Sequence, residues 1–245
     1  MTRRAHVPNV VAGRIELPAG EAHHVRDVLR LESGDELELF DSSGQTALAT
    51  IDQIDSSAVF VIVDERELKL AAPSGVSITI ASAVPKGDRA DWMIEKLSEV
   101  GVARFIPLIT ARSVVLPVGK NKRERWQRIA KESAKQSRRS GVMQIDELTP
   151  LKTAIGADSS SRYFLSTDAQ ATPILHALSV AEAIAFFIGP EGGWTDNEIA
   201  TMRSAGMDGL RLTSTILRVE TAAVVAAAAA GILTEQRNRR DAANR

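Results

Sequence analysis

Ile188-Gly189-Pro190-Glu191-Gly192-Gly193-Trp194-Thr195-Asp196-Asn197-Glu198-Ile199 is the stretch on which the reading of the fold turns. The apolar run Ala183 to Ile188 before it has strand character. Gly189 and Pro190 stop that strand, and Gly192 and Gly193 permit a positive φ or a close backbone approach. Thr195 followed by Glu198 is a capping box, so a helix begins there with its free N–H groups facing the loop. A strand, a loop poor in side chains and a helix start together make a place where a ligand can lie against backbone.

The same grammar extends to both sides. Upstream, the pattern predicts strands at Val76 to Ala83, Arg104 to Ile109 and Arg162 to Leu165. It predicts helices at Asp88 to Val100 and Asn121 to Ser137, the first with Met93, Ile94, Leu97 and Val100 on one face and Asp88 as N-cap. Downstream it predicts a strand at Gly209 to Leu212 and a long closing helix from Arg218 to Glu235. The alanines from Ala226 to Ala230 fit that helix, alanine being the best helix former. Alternating strands and helices imply a parallel sheet covered on both faces.

The first seventy residues read differently. Asp35 to Phe40 alternates, Asp41-Ser42-Ser43-Gly44 makes a turn, and Thr46 to Ile54 and Ala58 to Val63 are further strands. A short helix is predicted over Glu21 to Leu29, with Val25, Val28 and Leu29 facing inward. This is a small β-barrel. Ala71-Ala72-Pro73-Ser74-Gly75 is the best linker candidate, so residues 1–72 and 73–245 are expected to form separate domains.

A second segment, Ile216-Leu217-Arg218-Val219-Glu220-Thr221-Ala222, follows the glycine loop at about twenty residues. Loop and segment together resemble the signature of the SPOUT methyltransferases. The match is to the RsmE-type family, which methylates N3 of a uridine in 16S ribosomal RNA. His23 to Arg30, Lys86-Gly87-Asp88 with Lys96 to Val102, Arg112-Ser113-Val114-Val115 and Gln136-Ser137-Arg138 are similar to further family stretches. The resemblance implies an N-terminal PUA-like RNA-binding domain and a C-terminal SPOUT domain with a trefoil knot. It also implies S-adenosyl-L-methionine as cofactor, 16S rRNA as partner, in the small ribosomal subunit, and a homodimer. Compatible with close packing at a knot or dimer interface, the small residues Thr221 to Gly231 are equally compatible with any buried helix.

The resemblance puts the methyl donor among three loops. One follows Tyr163-Phe164-Leu165, the second is Gly189, Pro190, Glu191, Gly192 and Gly193, and the third runs from Leu212 to Leu217. Leu165, Leu212, Ile216 and Leu217 would cover the adenine, and Thr221 would belong to the donor site and cap the last helix. Arg218 is the catalytic candidate, its guanidinium placed to stabilise charge developing on uracil or to grip a phosphate. Glu220 would orient Arg218 or the donor; the plain alternative is a structural ion pair between the two. His23, His24, Arg26 and Arg30 would lie on the RNA face of the small domain. Arg112 and Arg138 would touch RNA phosphate or line the site. One departure stands out: Thr213-Ser214-Thr215 replaces the family's usual glycine, proline and arginine. It removes an expected cation and is the only feature favouring a non-catalytic RNA-binding or ribosome-assembly factor on the same scaffold. Methylation of another RNA is a third reading.

Composition sets the remaining bounds. The 245 residues carry 44% hydrophobic side chains, enough for a substantial core. No cysteine is present, which excludes disulfides, thiolate zinc sites and a cysteine nucleophile. With no apolar stretch long enough for a bilayer, and no secretory pattern at the N-terminus, a soluble cytoplasmic protein is expected. The overall charge of −1 hides an asymmetry, with 7 basic and 13 acidic residues in 1–72 against 23 and 18 in 73–245. Nine basic residues crowd 120–139, among them Arg123, Arg125 and Arg128, and attract a phosphate backbone unless they form only a solvated helix face. Neither G-x-x-x-x-G-K-[ST] nor G-x-G-x-x-G occurs, which disfavours a nucleotide triphosphatase and a dinucleotide dehydrogenase. The pair His23 and His24 has no partner at ligand spacing, so no metal is expected.

Overall fold

Alternation of buried and exposed side chains builds the first sheet. The computed structural model describes residues 3–70, 76–114, 120–156, 161–178 and 183–243, less the side chains of 120 and 237–243. Within it β1 (Arg4–His6), β2 (Gly13–Glu16), β3 (Glu36–Phe40), β4 (Gln45–Ile54), β5 (Val59–Val63) and β6 (Lys69–Leu70) form a six-stranded sheet. Its order is β1-β3-β4-β5-β2, with β6 on β4. The register sets Leu37 against Ala49 and Ile51 against Val61, so the apolar faces coincide. A bulge at Ile51/Gln53 bends β4. The sheet wraps one cluster containing Ala5, Leu17, Val25, Leu39, Ile51 and Val61, the barrel-like arrangement that the alternation predicts.

The short helix differs from expectation in a telling way. α1 (Ala19–His23) passes directly into a π-helical turn, His24–Val28. That wider turn swings Val28 out to 60% exposure, while Val25 stays buried and Leu29 packs against the core. Periodicity of 3.6 could not anticipate it.

In the second unit the chain continues as β7 (Ser77–Ser82), α2 (Asp88–Glu99), β8 (Arg104–Ile109), α3 (Lys120–Gln136), β9 (Gln144–Ile145), β10 (Thr149–Pro150), α4 (Leu151–Gly156), β11 (Ser161–Leu165), β12 (Thr172–Pro173), α5 (Ile174–Ala177), β13 (Ala183–Ile188), α6 (Asp196–Ser204), β14 (Asp208–Arg211) and α7 (Val219–Ala243). Every pairing in its eight-stranded sheet is parallel, in the order β10-β8-β7-β13-β11-β14-β12, with β9 on β8. β13 is an apolar run and β7 intersperses Ser and Thr among apolar residues, yet both are buried on both faces over most of their length, as a covered parallel sheet requires. α2 buries Ala90, Met93, Ile94 and Leu97. Its N-cap is Gly87, at φ 63°, and Asp88 is the first helical residue rather than the cap. α7 packs on α2, β7 and β13 through Ala223, Ala226, Ala227 and Ala230, whose small side chains allow close approach. Close approach also requires Gly209, where a Cβ would stand 2.9 Å from the Phe164 ring.

Contacts divide the chain into Met1–Ser74 with Ala134–Val142, and Gly75–Ser133 with Met143–Arg245. The expected linker, residues 71–75, lies outside the described residues, as do the side chains of Arg237, Arg239, Arg240 and Arg245. No described helix is long and apolar enough to cross a membrane.

Candidate active site

β13, β11 and β14 are neighbours in the sheet and run parallel, so their carboxyl ends share one edge. The loops leaving Leu165, Ile188 and Arg211 therefore meet there, where open α/β sheets bind ligands. They enclose a cavity of about 640 Å³. Leu165, Gly189, Pro190, Glu191, Gly192, Gly193, Leu212, Ile216, Leu217 and Arg218 all line it. Thr221 and Glu220 do not.

The glycine loop is held from three directions. The predicted capping box is present: the Glu198 amide donates to the Thr195 hydroxyl at 3.3 Å, and the Thr195 amide donates to the Glu198 carboxylate at 2.8 Å. Glu198 also accepts from the Ala111 amide at 2.8 Å, tying the loop after β8 to α6. Next to it, Arg112 donates to the Gly192 carbonyl at 2.7 Å, and its stem lies where a Gly192 Cβ would be, with Cδ at 3.3 Å. Arg112 thus clamps the loop and lines the cavity. Trp194 supplies the third tie: its indole N–H donates to the Leu165 carbonyl at 3.0 Å, joining the second loop to the first. No reading of the sequence singled out Trp194, and an indole beside a glycine turn was the available signal.

Burial pushes the Glu198 carboxyl up, but bonds from the Thr195 and Ala111 amides and the Thr195 hydroxyl, with Arg112 nearby, carry it below the usual carboxylate range. A depressed folded pKa contributes stability that is present above the unfolded value, about 4.3 for glutamate, and is lost as pH falls through the folded one. Glu198→Gln is expected to cost about 1–2 kcal/mol at pH 7, with the gap from the parent protein narrowing on acidification below about pH 4. Urea titrations at pH 7 and at pH 3 measure this. A gap that does not move with pH would mean that the charge contributes nothing.

In the third loop Thr213-Ser214-Thr215 form a turn of their own. The Thr213 hydroxyl donates to the Thr215 carbonyl at 2.7 Å, closing the turn with a side chain. None of the three residues has a positive φ, so no glycine is needed.

Arg218 and Glu220 are not partners. Glu220 is buried, and its Oε1 accepts from Arg89 at 3.3 Å, while Oε2 is buried without a hydrogen bond among the described residues. Arg89 also approaches Glu191 at 3.8 Å. Glu220 therefore anchors the start of α7 to the start of α2, and its proposed orientation of Arg218 finds no contact. The exposed Arg218 guanidinium has no hydrogen bond or ion pair among the described residues. Thr221 falls in the first turn of α7, after the helix has begun, so it does not cap it.

The residues predicted to meet RNA divide. Arg26 is engaged by Asp27 and by the carbonyls of Asp55 and Ser56, and His23 pairs with Asp27 at 2.6 Å. His23 is occupied within its own helix, and Arg26 ties that helix to the turn between β4 and β5. His24 is half-buried; Arg30 and Arg138 are exposed, at φ 52° and 58°. On α3, Arg125 and Lys122 both pair with Asp91, which also accepts from the Trp126 indole, so part of the basic face fastens α3 to α2. Arg123 pairs with the exposed Glu147, a contact of small worth. Arg128 is exposed.

Comparison with known proteins agrees with this geometry. Residues 72–231 match the RNA methyltransferase domain family and residues 17–64 the RNA methyltransferase PUA domain family. The chain is 32% identical over 236 residues to ribosomal RNA small subunit methyltransferase E of Bacillus subtilis (strain 168), covering 88% of each. It is 31% identical to the protein of that name from Mycobacterium tuberculosis (strain CDC 1551 / Oshkosh), covering 88% of this chain and 85% of the relative. Among solved structures, the ribosomal RNA small subunit methyltransferase E from Neisseria gonorrhoeae bound to S-adenosyl methionine superposes with a TM-score of 0.84 at 28% identity, covering 95% of this chain and 98% of that one.

Proposed function

The chain belongs to the ribosomal RNA small subunit methyltransferase E family, and from that premise we propose that it transfers a methyl group from S-adenosylmethionine to N3 of a uridine in 16S rRNA. The observation that carries this reading is the cavity at the shared carboxyl edge, with the glycine loop on one wall and Arg218, which has no partner among the described residues, lining it. The residues present fit the donor. The volume of about 640 Å³ suits a ligand of that size, and apolar Leu165, Leu212, Ile216 and Leu217 alternate with hydroxyls and backbone.

When bound, the donor supplies a methyl group already activated by its sulfonium. The protein's work is alignment, which can contribute on the order of 7–11 kcal/mol in the best cases, and management of the N3 proton. Arg218 stabilises the negative charge that uracil acquires as that proton leaves. Glu191 is the only carboxylate lining the cavity among the described residues and is the candidate to accept it.

The β unit and the basic surfaces serve to hold rRNA, by this reading within the small subunit and in the cytoplasm. Arg128→Glu is expected to weaken rRNA binding and reduce its salt dependence by roughly one to two phosphate contacts, leaving donor affinity unchanged. Filter binding across a salt series checks this; an unaltered slope would leave α3 a solvated face. Exposed Trp92 on α2 and Val225 and Ile232 on α7, helices that pack together, support a homodimer. The function itself is tested by mass spectrometry of nucleosides from strains with and without the gene. Loss of one N3-methyluridine from 16S rRNA is expected. An unchanged profile, or loss from another RNA, would reject the assignment.

A further inference from the structure

Arg89 stands in the first turn of α2 and divides its fork between two carboxylates of unlike surroundings. One terminal nitrogen donates to Oε1 of Glu220 at 3.3 Å, and the other lies 3.8 Å from Oε1 of Glu191. Glu220 belongs to the buried start of α7, its side chain 7% exposed, whereas the Glu191 side chain is 45% exposed and lines the cavity. From this division we infer that Arg89 is a positioning residue for methyl transfer: anchored inward by Glu220, it holds the Glu191 carboxylate at the cavity wall. The inference rests on the proposed function, in which Glu191 receives the N3 proton.

The two contacts differ in strength. An ion pair between exposed side chains contributes little, because both chains must be ordered and water screens the charges. The Arg89–Glu220 pair is another matter. Taking the partner from a buried carboxylate leaves an uncompensated charge, so Glu220 keeps the guanidinium in place. Arg89 is thus a fixed cation before Glu191 meets it, and only Glu191 has conformational freedom left to lose. The second nitrogen gives Glu191 one preferred direction, and Arg89 is its only ion-pair partner among the described residues. A base must come within hydrogen-bond reach of the proton it takes, so an exposed carboxylate beside a glycine turn gains from such a guide. Arg89 does not line the cavity, so it acts through Glu191 rather than on the donor. The planar fork is what lets one side chain do both jobs. A lysine has a single nitrogen and cannot reproduce two separate prongs.

The test is single-turnover methylation of 16S rRNA from a strain lacking the gene, at saturating donor, with donor calorimetry and a melting curve for each variant. Arg89→Lys is expected to melt close to the parent, because its one nitrogen stays with Glu220, and to bind S-adenosylmethionine as the parent does. It is nevertheless expected to methylate roughly tenfold more slowly, since a catalytic group that is present but misplaced loses much of its effect. Glu191→Gln is expected to slow the reaction by about 10²-fold or more. Arg89→Lys added to Glu191→Gln is expected to cost nothing further, and this cycle isolates action through Glu191 from any structural role. Arg89→Met with Glu220→Met removes the buried charge together with its partner, and serves if the lysine variant melts early. That pair, too, is expected to be slow with Glu191 in place and without further effect on Glu191→Gln. Parent-like turnover by a folded Arg89 variant, or an equal loss in the presence and absence of the Glu191 carboxylate, would overturn the inference. Failure of the parent to methylate rRNA would instead reject the proposed function, and full activity of Glu191→Gln would reject its proton acceptor; the inference falls with either.

Discussion

Arg218→Ala is expected to lower single-turnover methylation of rRNA by roughly 10²-fold, about 2.7 kcal/mol, with saturating donor and little change in melting temperature. The expectation follows from what Arg218 does not do. Its side chain is exposed and holds no partner among the described residues, so the fold loses nothing when it is removed. Surface substitutions of that kind usually stay within about 0.5 kcal/mol. The alternative reading of the segment, an Arg218–Glu220 ion pair, is closed by Glu220 pairing with Arg89. Arg218→Lys is expected to recover only part of the rate, since a point charge cannot reproduce a planar two-pronged contact. Near-normal turnover by Arg218→Ala would reject the catalytic role. A collapsed melting temperature would show a structural role that these contacts do not contain. Glu220→Ala behaves oppositely in this account: it strips Arg89 of its buried acceptor, so stability falls first and turnover follows.

These two residues show where the sequence is legible and where it is not. The glycine loop, the capping box and the strands β8 and β13 are local matters, set by turn chemistry and by periodicity within a few residues, and they were read directly. Arg89 lies 131 positions from Glu220, and nothing local announces that they meet. The same holds for Ala111 with Glu198 and Trp194 with Leu165, pairs that become neighbours only when the sheet order brings β8, β13 and β11 together. The short strands β9, β10 and β12 have two residues each, too few to show a period. At Thr213-Ser214-Thr215 the sequence showed only that glycine was missing. That a hydroxyl closes this turn depends on Thr213 reaching the Thr215 carbonyl, which the sequence does not announce.

Gly189→Val is expected to weaken S-adenosylmethionine binding by at least tenfold, about 1.4 kcal/mol, and to cost about 1–3 kcal/mol of stability. A Cβ at Gly189 would stand 3.0–3.2 Å from three atoms of the Trp194 indole. That ring is rigid and holds the Leu165 carbonyl, so it cannot retreat without releasing the loop after β11. One added side chain therefore disturbs two of the three cavity walls. Gly192 is the useful contrast. A Cβ there meets the stem of Arg112 at 3.3–3.4 Å, a flexible chain, so Gly192→Ala is expected to be milder than any branched substitution at Gly189. Calorimetry with the donor and urea melts on both variants separate the cases. Trp194→Phe gives an independent check, because it removes the N–H bond to Leu165 while keeping most of the ring. It should weaken the donor less than Gly189→Val, as the first loop loses a tie but the second keeps its shape. Parent-like donor affinity in a folded Gly189→Val protein would remove the glycine loop from the site, and with it the main structural support for the proposed chemistry.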